Sequence, residues 1–251
     1  MSKPVHIIGS PVSPFVRKIL AILALKGVDF DIDPVVAFYT DERFLKLNPV
    51  RRIPVLIDGE DVIADSSVIA AYLEEKHPSP SILPKSPADR ARARWLEEFA
   101  DTRMTDIFLW RCFNAVVIKP GIWGEARDIE SYRAALAGPV VEIMDYLETV
   151  APAKGFLFGD IGLGDISVAV LFRNMRYARW TPDAARWPKT AAWIERCEAH
   201  PAMTSAIEWA DALVTVRVPD QPMKAREIGA PVAEATFLVD AAPRRGPMTV
   251  V

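Results

Sequence analysis

Val5-His6-Ile7-Ile8-Gly9-Ser10-Pro11-Val12-Ser13-Pro14-Phe15-Val16-Arg17 opens the readable part of the chain, and its hydrophobic period changes once within it. Val5 to Ile8 reads as a short strand that stops at Gly9. Ser13-Pro14 then opens a helix, since serine is a favoured N-cap and proline a favoured first helical residue. Phe15, Ile19, Ile22 and Leu23 share one face of that helix, which ends at Lys26-Gly27. Working outward, Val28 to Val35 reads as a second strand and Asp41 to Leu47 as a short helix. Pro54 to Ile57, a turn at Asp58-Gly59 and Val62-Ile63 form a hairpin. Asp65 starts a helix that runs to Lys76. Strand–helix–strand–helix–strand–strand–helix is the order of a compact three-layer α/β unit.

The texture then changes. Pro78, Pro80, Pro84 and Pro87 punctuate a connector. From Ala88 to about Val214 only helical patterns occur: Arg90 to Ile118, Ile129 to Val150, Asp165 to Ala178, Pro188 to His200, and Pro201 to Leu213. The expected organisation is an α/β domain over 1–78, an all-helical domain over 87–214, and a tail over 215–251. Beyond Pro219 the tail loses periodicity and reads as flexible, with strand pairing by Thr236-Phe237-Leu238-Val239, or a cover over the site, as the alternative.

Composition narrows the chemistry. The 251 residues include 30 Lys plus Arg and 33 Asp plus Glu, a net charge of −3 that gives no basic footprint for nucleic acid. The longest apolar run, Ile19 to Leu25, is seven residues, far short of the roughly 20 that span a bilayer. The chain therefore reads as soluble and cytoplasmic. Cys112 and Cys197 make no disulfide framework, and His6, His77 and His200 have no metal-ligand spacing. No P-loop, HExxH or GxSxG motif is present. A chain so poor in His and Cys has little nucleophilic chemistry of its own.

Three modest features carry what chemistry there is. Ser13 sits where the first strand turns into the first helix; it is either a plain cap or a hydroxyl beside free N–H groups at a positive helix end, a place that favours an anion such as a thiolate. Pro54, after Arg51-Arg52-Ile53, marks an edge strand or a cis proline. In the second case Ile53 offers its N–H and C=O to a bound peptide, and Arg51 or Arg52 a cation to a carboxylate. Asp65-Ser66-Ser67 heads a helix, as a cap or as a receptor for the charged end of an amino acid.

Taken in this order, the three features resemble the glutathione-binding half of cytosolic glutathione transferases of a serine-type, bacterial-like kind, and the resemblance covers residues 4 to 214. Ser13-Pro14-Phe15 is similar to the motif that supplies the activating serine. Asn48-Pro49-Val50-Arg51-Arg52-Ile53-Pro54 is similar to the family's Asn-Pro-x-Gly-Lys-Val-Pro, and Asp65-Ser66 to its Glu-Ser pair. Gly159-Asp160-Ile161-Gly162-Leu163-Gly164-Asp165 resembles the capping segment of the helical half, Gly-Asp-x-Ser/Thr-x-Ala-Asp. Two departures stand out: Gly162 replaces the capping hydroxyl, and Arg51 replaces a glycine, which puts the shape of the loop before Pro54 in question.

The resemblance implies a thioredoxin-like N-terminal domain followed by an all-α bundle. It also implies glutathione as co-substrate, bound by Ser13, Arg52, Ile53, Pro54, Asp65 and Ser66. Ser13 is the expected activator of the thiol, with Ser10 as the alternative. The thiolate would attack a hydrophobic electrophile held between the domains, with Phe15, Phe38, Tyr39, Met104, Phe108, Trp110 and Phe113 as candidate walls and Arg103 as a polar member. Met104, Phe108, Trp110 and Phe113 fit a bundle core equally well. A homodimer is implied too. Other glutathione chemistry stays open beside transfer: peroxide reduction, isomerisation, dehalogenation, ether cleavage, or binding without catalysis. Neither thiol of a glutaredoxin-like Cys-Pro-x-Cys is present at Ser13-Pro14-Phe15-Val16, so dithiol exchange by the protein itself is not expected.

Overall fold

The structure, a computed structural model, describes residues 4–239 and 242–245. The chain forms two compact units, one of the residues up to Ser81 together with those from Pro201 onward, the other of Ile82–His200.

The first unit holds a four-stranded sheet of β1 (Val5–Ile8), β2 (Phe30–Asp33), β3 (Val55–Asp58) and β4 (Asp61–Ala64), in the order β2-β1-β3-β4. β1 and β2 are parallel because α1 (Pro14–Lys26) crosses between them; β3 runs antiparallel to β1 and forms the expected hairpin with β4. Gly27 closes α1 at φ 64, a left-handed conformation that costs glycine nothing. Pro34, which cannot donate to a ladder, follows β2 and helps make it shorter than the 28–35 expected. α3 (Ser66–Lys76) packs on α1, β3 and β4, and α10 (Pro201–Leu213) packs along α1. Another cluster joins Ile8, Val35 and Val55 to Phe44 of α2 (Phe44–Leu47). This is the thioredoxin-like architecture.

The second unit is helical. α4 (Pro87–Phe99) continues without a break through a π-helical stretch, Ala100–Ile118, into α5 (Lys119–Trp123). In that stretch the Thr105 hydroxyl donates to the Ala100 carbonyl five residues back. The segment expected as one helix over 129–150 is two, α6 (Ile129–Ala137) and α7 (Pro139–Val150). Gly138 (φ −129°, ψ −82°) leaves helical geometry, and Pro139 has no N–H to continue the first helix.

α8 (Leu163–Tyr177) and α9 (Pro188–Glu198) complete the unit. Asp165, buried in the first turn of α8, accepts from Leu157 N (3.0 Å), Gly162 N (3.2 Å) and Trp193 Nε1 (2.8 Å). Glycine at 162 has no side chain to return the cap, and none would fit: a Cβ there would lie 2.7 Å from the Ile82 carbonyl oxygen, which accepts from Leu163 N. The departure from Ser/Thr at this position therefore matches the backbone that passes it.

The tail corrects the sequence reading most. It was expected to be flexible, yet its described residues are tied to the first unit. After a 3-10 turn at Val218–Asp220 and α11 (Gln221–Glu227), Val232 bridges Ile32 and Leu238 bridges Thr40. Phe237 and Leu238 pack against the Ile8–Val35–Phe44–Val55 cluster, with the Phe237 ring 6.1 Å from that of Phe44 and the Arg43 guanidinium 5.2 Å from its centre. Residues 246–251 lie outside the described residues.

Asp33 anchors this arrangement, accepting from Thr236 Oγ1 and Phe237 N, each at 2.7 Å. Its burial raises the carboxyl above the ordinary value, against the pull of those two hydrogen bonds and of His6. The folded protein thus keeps this proton to a higher pH than the unfolded chain does. Its contribution to stability is complete below the unfolded value and declines as pH rises through the raised one. Asp33→Asn keeps the shape without the charge, so its pH–stability curve should be flatter than the parent's, with equal or higher stability at neutral pH. Asp165 is raised by burial as well, so the slope shrinks without vanishing. Asp33→Ala strands both donors and should cost about 1–3 kcal/mol. Thermal unfolding across pH checks both; an Asn variant as unstable as the Ala variant would refute the account.

Candidate active site

Sheet register brings the sequence-picked segments to one end of the sheet. Ile8 pairs with Val55, and Val55 with Ala64. One residue further along these antiparallel registers sets Pro54 between Gly9 and Asp65. On the other side of β1, Gly9 N donates to Asp33 O (2.8 Å) and Ser10 N to Val35 O (2.8 Å). The loop after β1, the approach to β3 and the start of α3 therefore converge. Gly9 is required at the crossing: its φ is +150°, and a Cβ there would lie 2.5 Å from Val16 Cγ2 and 3.1 Å from Ile53 Cβ.

Ser13 is the N-cap residue of α1, with extended backbone, yet its side chain caps no N–H. Pro14 has no N–H to offer, and the first-turn N–H groups after it have no intrahelical partner. A half-buried hydroxyl and the positive end of a 13-residue helix thus stand together. Ser10 is placed differently. It is buried, and its hydroxyl donates to Gln221 Oε1 (2.8 Å).

The Ile53–Pro54 peptide is cis. Arg51, where the family pattern has glycine, takes φ 49, the left-handed region a glycine would use, so the substitution preserves the turn. Asn48 braces the same loop through Arg52 O (2.9 Å), Val50 N and Arg51 N. The Arg51 side chain reaches Glu42 (3.3 Å), while Arg52 is exposed. Asp65 also has a positive φ, 78°, and both N–H groups it caps, Ser67 and Val68, bond to Oδ1. Ser66 beside it is buried.

The candidate electrophile walls are scattered by environment. Phe15, on α1, and Phe38 and Tyr39, in a 3-10 turn, are half-buried. Met104 and Phe108 are fully buried, and Phe108 packs edge to face on Phe172 at 5.3 Å. Phe113 is buried and packs on Tyr177, while Trp110 is half-buried. Phe108 and Phe113 thus serve the packing of the helical unit. Arg103 pairs with Glu142 (2.9 Å).

Sequence reasoning passed over two charges in the middle of α1. Arg17 is buried and its Nη1 donates to the carbonyls of Pro11 (2.7 Å) and Val12 (2.8 Å), holding the loop that leads to Ser13. Lys18 is buried with Nζ 3.4 Å from Ser66 Oγ and 3.3 Å from Ser67 Oγ. Two cations inside an apolar helix were the available signal, because buried charges need partners.

Burial pushes the Cys112 thiol up to about 12 and raises Cys197 well above its ordinary value, so both stay protonated. Among the described residues no group of three or more His, Cys, Asp or Glu is placed to hold a metal. No helix among them is long and apolar enough to cross a membrane.

Known proteins resemble this chain in sequence and in fold. Residues 7–81 match the sequence model of the glutathione S-transferase N-terminal domain. "Glutathione S-transferase U13" of Arabidopsis thaliana is 33% identical over 217 residues, covering 79% of this chain and 88% of the relative. Among solved structures, a glutathione S-transferase from Rhodospirillum rubrum superposes with a TM-score of 0.74 at 27% identity, covering 80% of this chain and 91% of the other. A Tau class glutathione S-transferase from mango, Mangifera indica, gives a TM-score of 0.66 at 26% identity, covering 91% of this chain and all of that one. The chain belongs to the glutathione S-transferase family.

Proposed function

We propose that this protein is a serine-type glutathione transferase. The observation that carries the reading is Ser13: a hydroxyl at the start of α1 that caps nothing, at the sheet end shared by cis-Pro54 and Asp65. Free thiols have a pKa near 8.5 and are mostly protonated at neutral pH. Ser13 donates a hydrogen bond to the glutathione sulfur, and the helix end adds positive potential, so the thiolate is favoured. Ile53 pairs its backbone with the cysteine of glutathione and Arg52 meets the glycine carboxylate. Ser66 and Asp65 take the carboxylate and ammonium of the γ-glutamyl end. The thiol proton leaves to solvent, the thiolate sulfur forms a bond to an electrophilic carbon, and the leaving group departs with its electron pair.

The two protonated cysteines support a borrowed thiol, since neither is a usable nucleophile. Phe15, Phe38, Tyr39 and Trp110, all half-buried, are the apolar candidates for the electrophile site. We read the protein as cytoplasmic, on its two free thiols, and as a homodimer, on the exposed Val50, Val62 and Val68 of the first unit. The test is turnover of glutathione with a general aromatic electrophile, with calorimetry of glutathione alone. Binding without turnover overturns the transferase reading. Sedimentation of the same sample near 27.9 kDa at micromolar concentration overturns the dimer.

A further inference from the structure

We propose that Gln221, in the segment after the helical unit, is a positioning residue for Ser13 and acts through the buried hydroxyl of Ser10. The inference rests on the reading of Ser13 given above. Ser10 and Gln221 are 1% and 3% exposed, so their 2.8 Å hydrogen bond is shielded from water. Gln221 Nε2 donates to the Leu213 carbonyl (3.2 Å) and to that of Val216 (3.4 Å). Turning the amide over would set its oxygen against those two carbonyls, so its orientation is fixed and Ser10 must be the donor.

Ser10 in turn fixes the catalytic loop. Its carbonyl accepts from Ser13 N (3.0 Å), its hydroxyl accepts from Val12 N (3.4 Å), and its own N–H donates to Val35 O (2.8 Å). Ser10 is therefore the anchored first residue of a four-residue turn whose last residue is Ser13. The Ser13 side chain makes no capping bond of its own, so the backbone of this turn sets where its hydroxyl lies. The chain of contacts runs from the end of α10 through Gln221 and Ser10 to Ser13. It ties residues more than 200 positions apart.

Loss of the Gln221 acceptor leaves a buried hydroxyl to find another partner, and the turn relaxes with it. A misplacement of about 1 Å at a reacting centre costs up to roughly 100-fold in rate. The experiment uses the full chain with Gln221→Leu and Ser10→Ala, singly and together. It measures kcat, KM for glutathione and the acidic limb of the kcat–pH profile. Each single substitution should lower kcat by about tenfold and move the acidic limb to higher pH, with KM changed by less than about threefold. The double variant should lose clearly less than the product of the two single losses, because both remove the shared Ser10–Gln221 bond, although Ser10→Ala also frees Val12 N and Gln221→Leu also frees the Leu213 and Val216 carbonyls.

A lower melting temperature with kcat and the acidic limb unchanged would show a purely structural role and overturn the proposal. Losses that multiply in the double variant would overturn it as well. Should Gln221→Leu fail to fold, Ser10→Ala decides in its place, since it deletes the same bond together with the one from Val12 N; unchanged kcat and acidic limb then reject the proposal. Ser13→Ala serves as the control. If that variant keeps full activity, the reading of Ser13 fails, whereas an inactive Ser13→Ala beside a fully active Gln221→Leu rejects only the role of Gln221.

Discussion

Ser13→Ala is expected to lower turnover by up to about 50-fold at a pH near 6.5, less by whatever part of the depression the helix end keeps, with the deficit closing above a pH of about 9. The figure follows from the thiolate fraction. If the site depresses the glutathione thiol by about two units, to roughly 6.5, half of it is ionised there; at the free value near 8.5 only about 1% is. The depression is equivalent to about 2.7 kcal/mol. Glutathione binding should be nearly unchanged, because Ile53, Arg52, Asp65 and Ser66 hold the peptide away from its sulfur. The shape of the loss is what identifies the role. A serine that merely supported the fold would lower activity equally at every pH. Absorbance of the bound thiolate, titrated in parent and variant, checks the same quantity without turnover; coincident titration curves would defeat the assignment.

The largest stability effect is expected at Asp165. Its carboxylate receives three N–H donors, those of Leu157, Gly162 and the Trp193 indole, and both Asp165 and Trp193 are buried. Alanine would leave all three donors unpaired, each costing about 1–3 kcal/mol, and loss of the whole network should cost about 3–5 kcal/mol. Asp165→Asn retains one acceptor oxygen and should lose less. Trp193→Phe removes a single donor and leaves the two backbone bonds in place, so it should be milder than Asp165→Ala. Denaturant midpoints at constant slope rank the three variants. A deficit under about 1 kcal/mol for Asp165→Ala would contradict the view that this acid closes the turn before α8.

Features legible in the sequence were local in the chain. Ser13-Pro14 announced a helix start because capping chemistry lies within four residues of the cap, and α1 begins there. Asp65 and Asp165 were legible for the same reason, and both accept backbone N–H bonds in the structure. The strand–helix order of the first unit followed from the change in hydrophobic period, whereas its thioredoxin-like character came from the family resemblance. Gly138-Pro139 was a break that a strong apolar stripe on either side concealed.

The tail was illegible because its partners are remote. Thr236 and Phe237 are fixed by Asp33, and Gln221 is fixed by Ser10, while prolines interrupt any period in between. Pairing through isolated bridges leaves no alternation to read. The free hydroxyl of Ser13 and the committed one of Ser10 look alike in sequence; their difference is a hydrogen bond to a residue 211 positions away.

The first unit is discontinuous: its sheet is complete by Ala64, but α10 and the segment with Gln221, Thr236 and Phe237 come after the whole helical unit. On the ribosome, at roughly 5–20 residues per second, those segments emerge on the order of ten seconds after the sheet does. During that interval the nascent sheet has an open flank at β2, the Asp33 carboxylate faces water, and the Ser10 hydroxyl awaits its acceptor. The residues of the helical unit are contiguous and are all synthesised in the meantime. The Ser10 hydroxyl therefore meets its acceptor only once Gln221 has emerged, long after every glutathione-contacting residue proposed here.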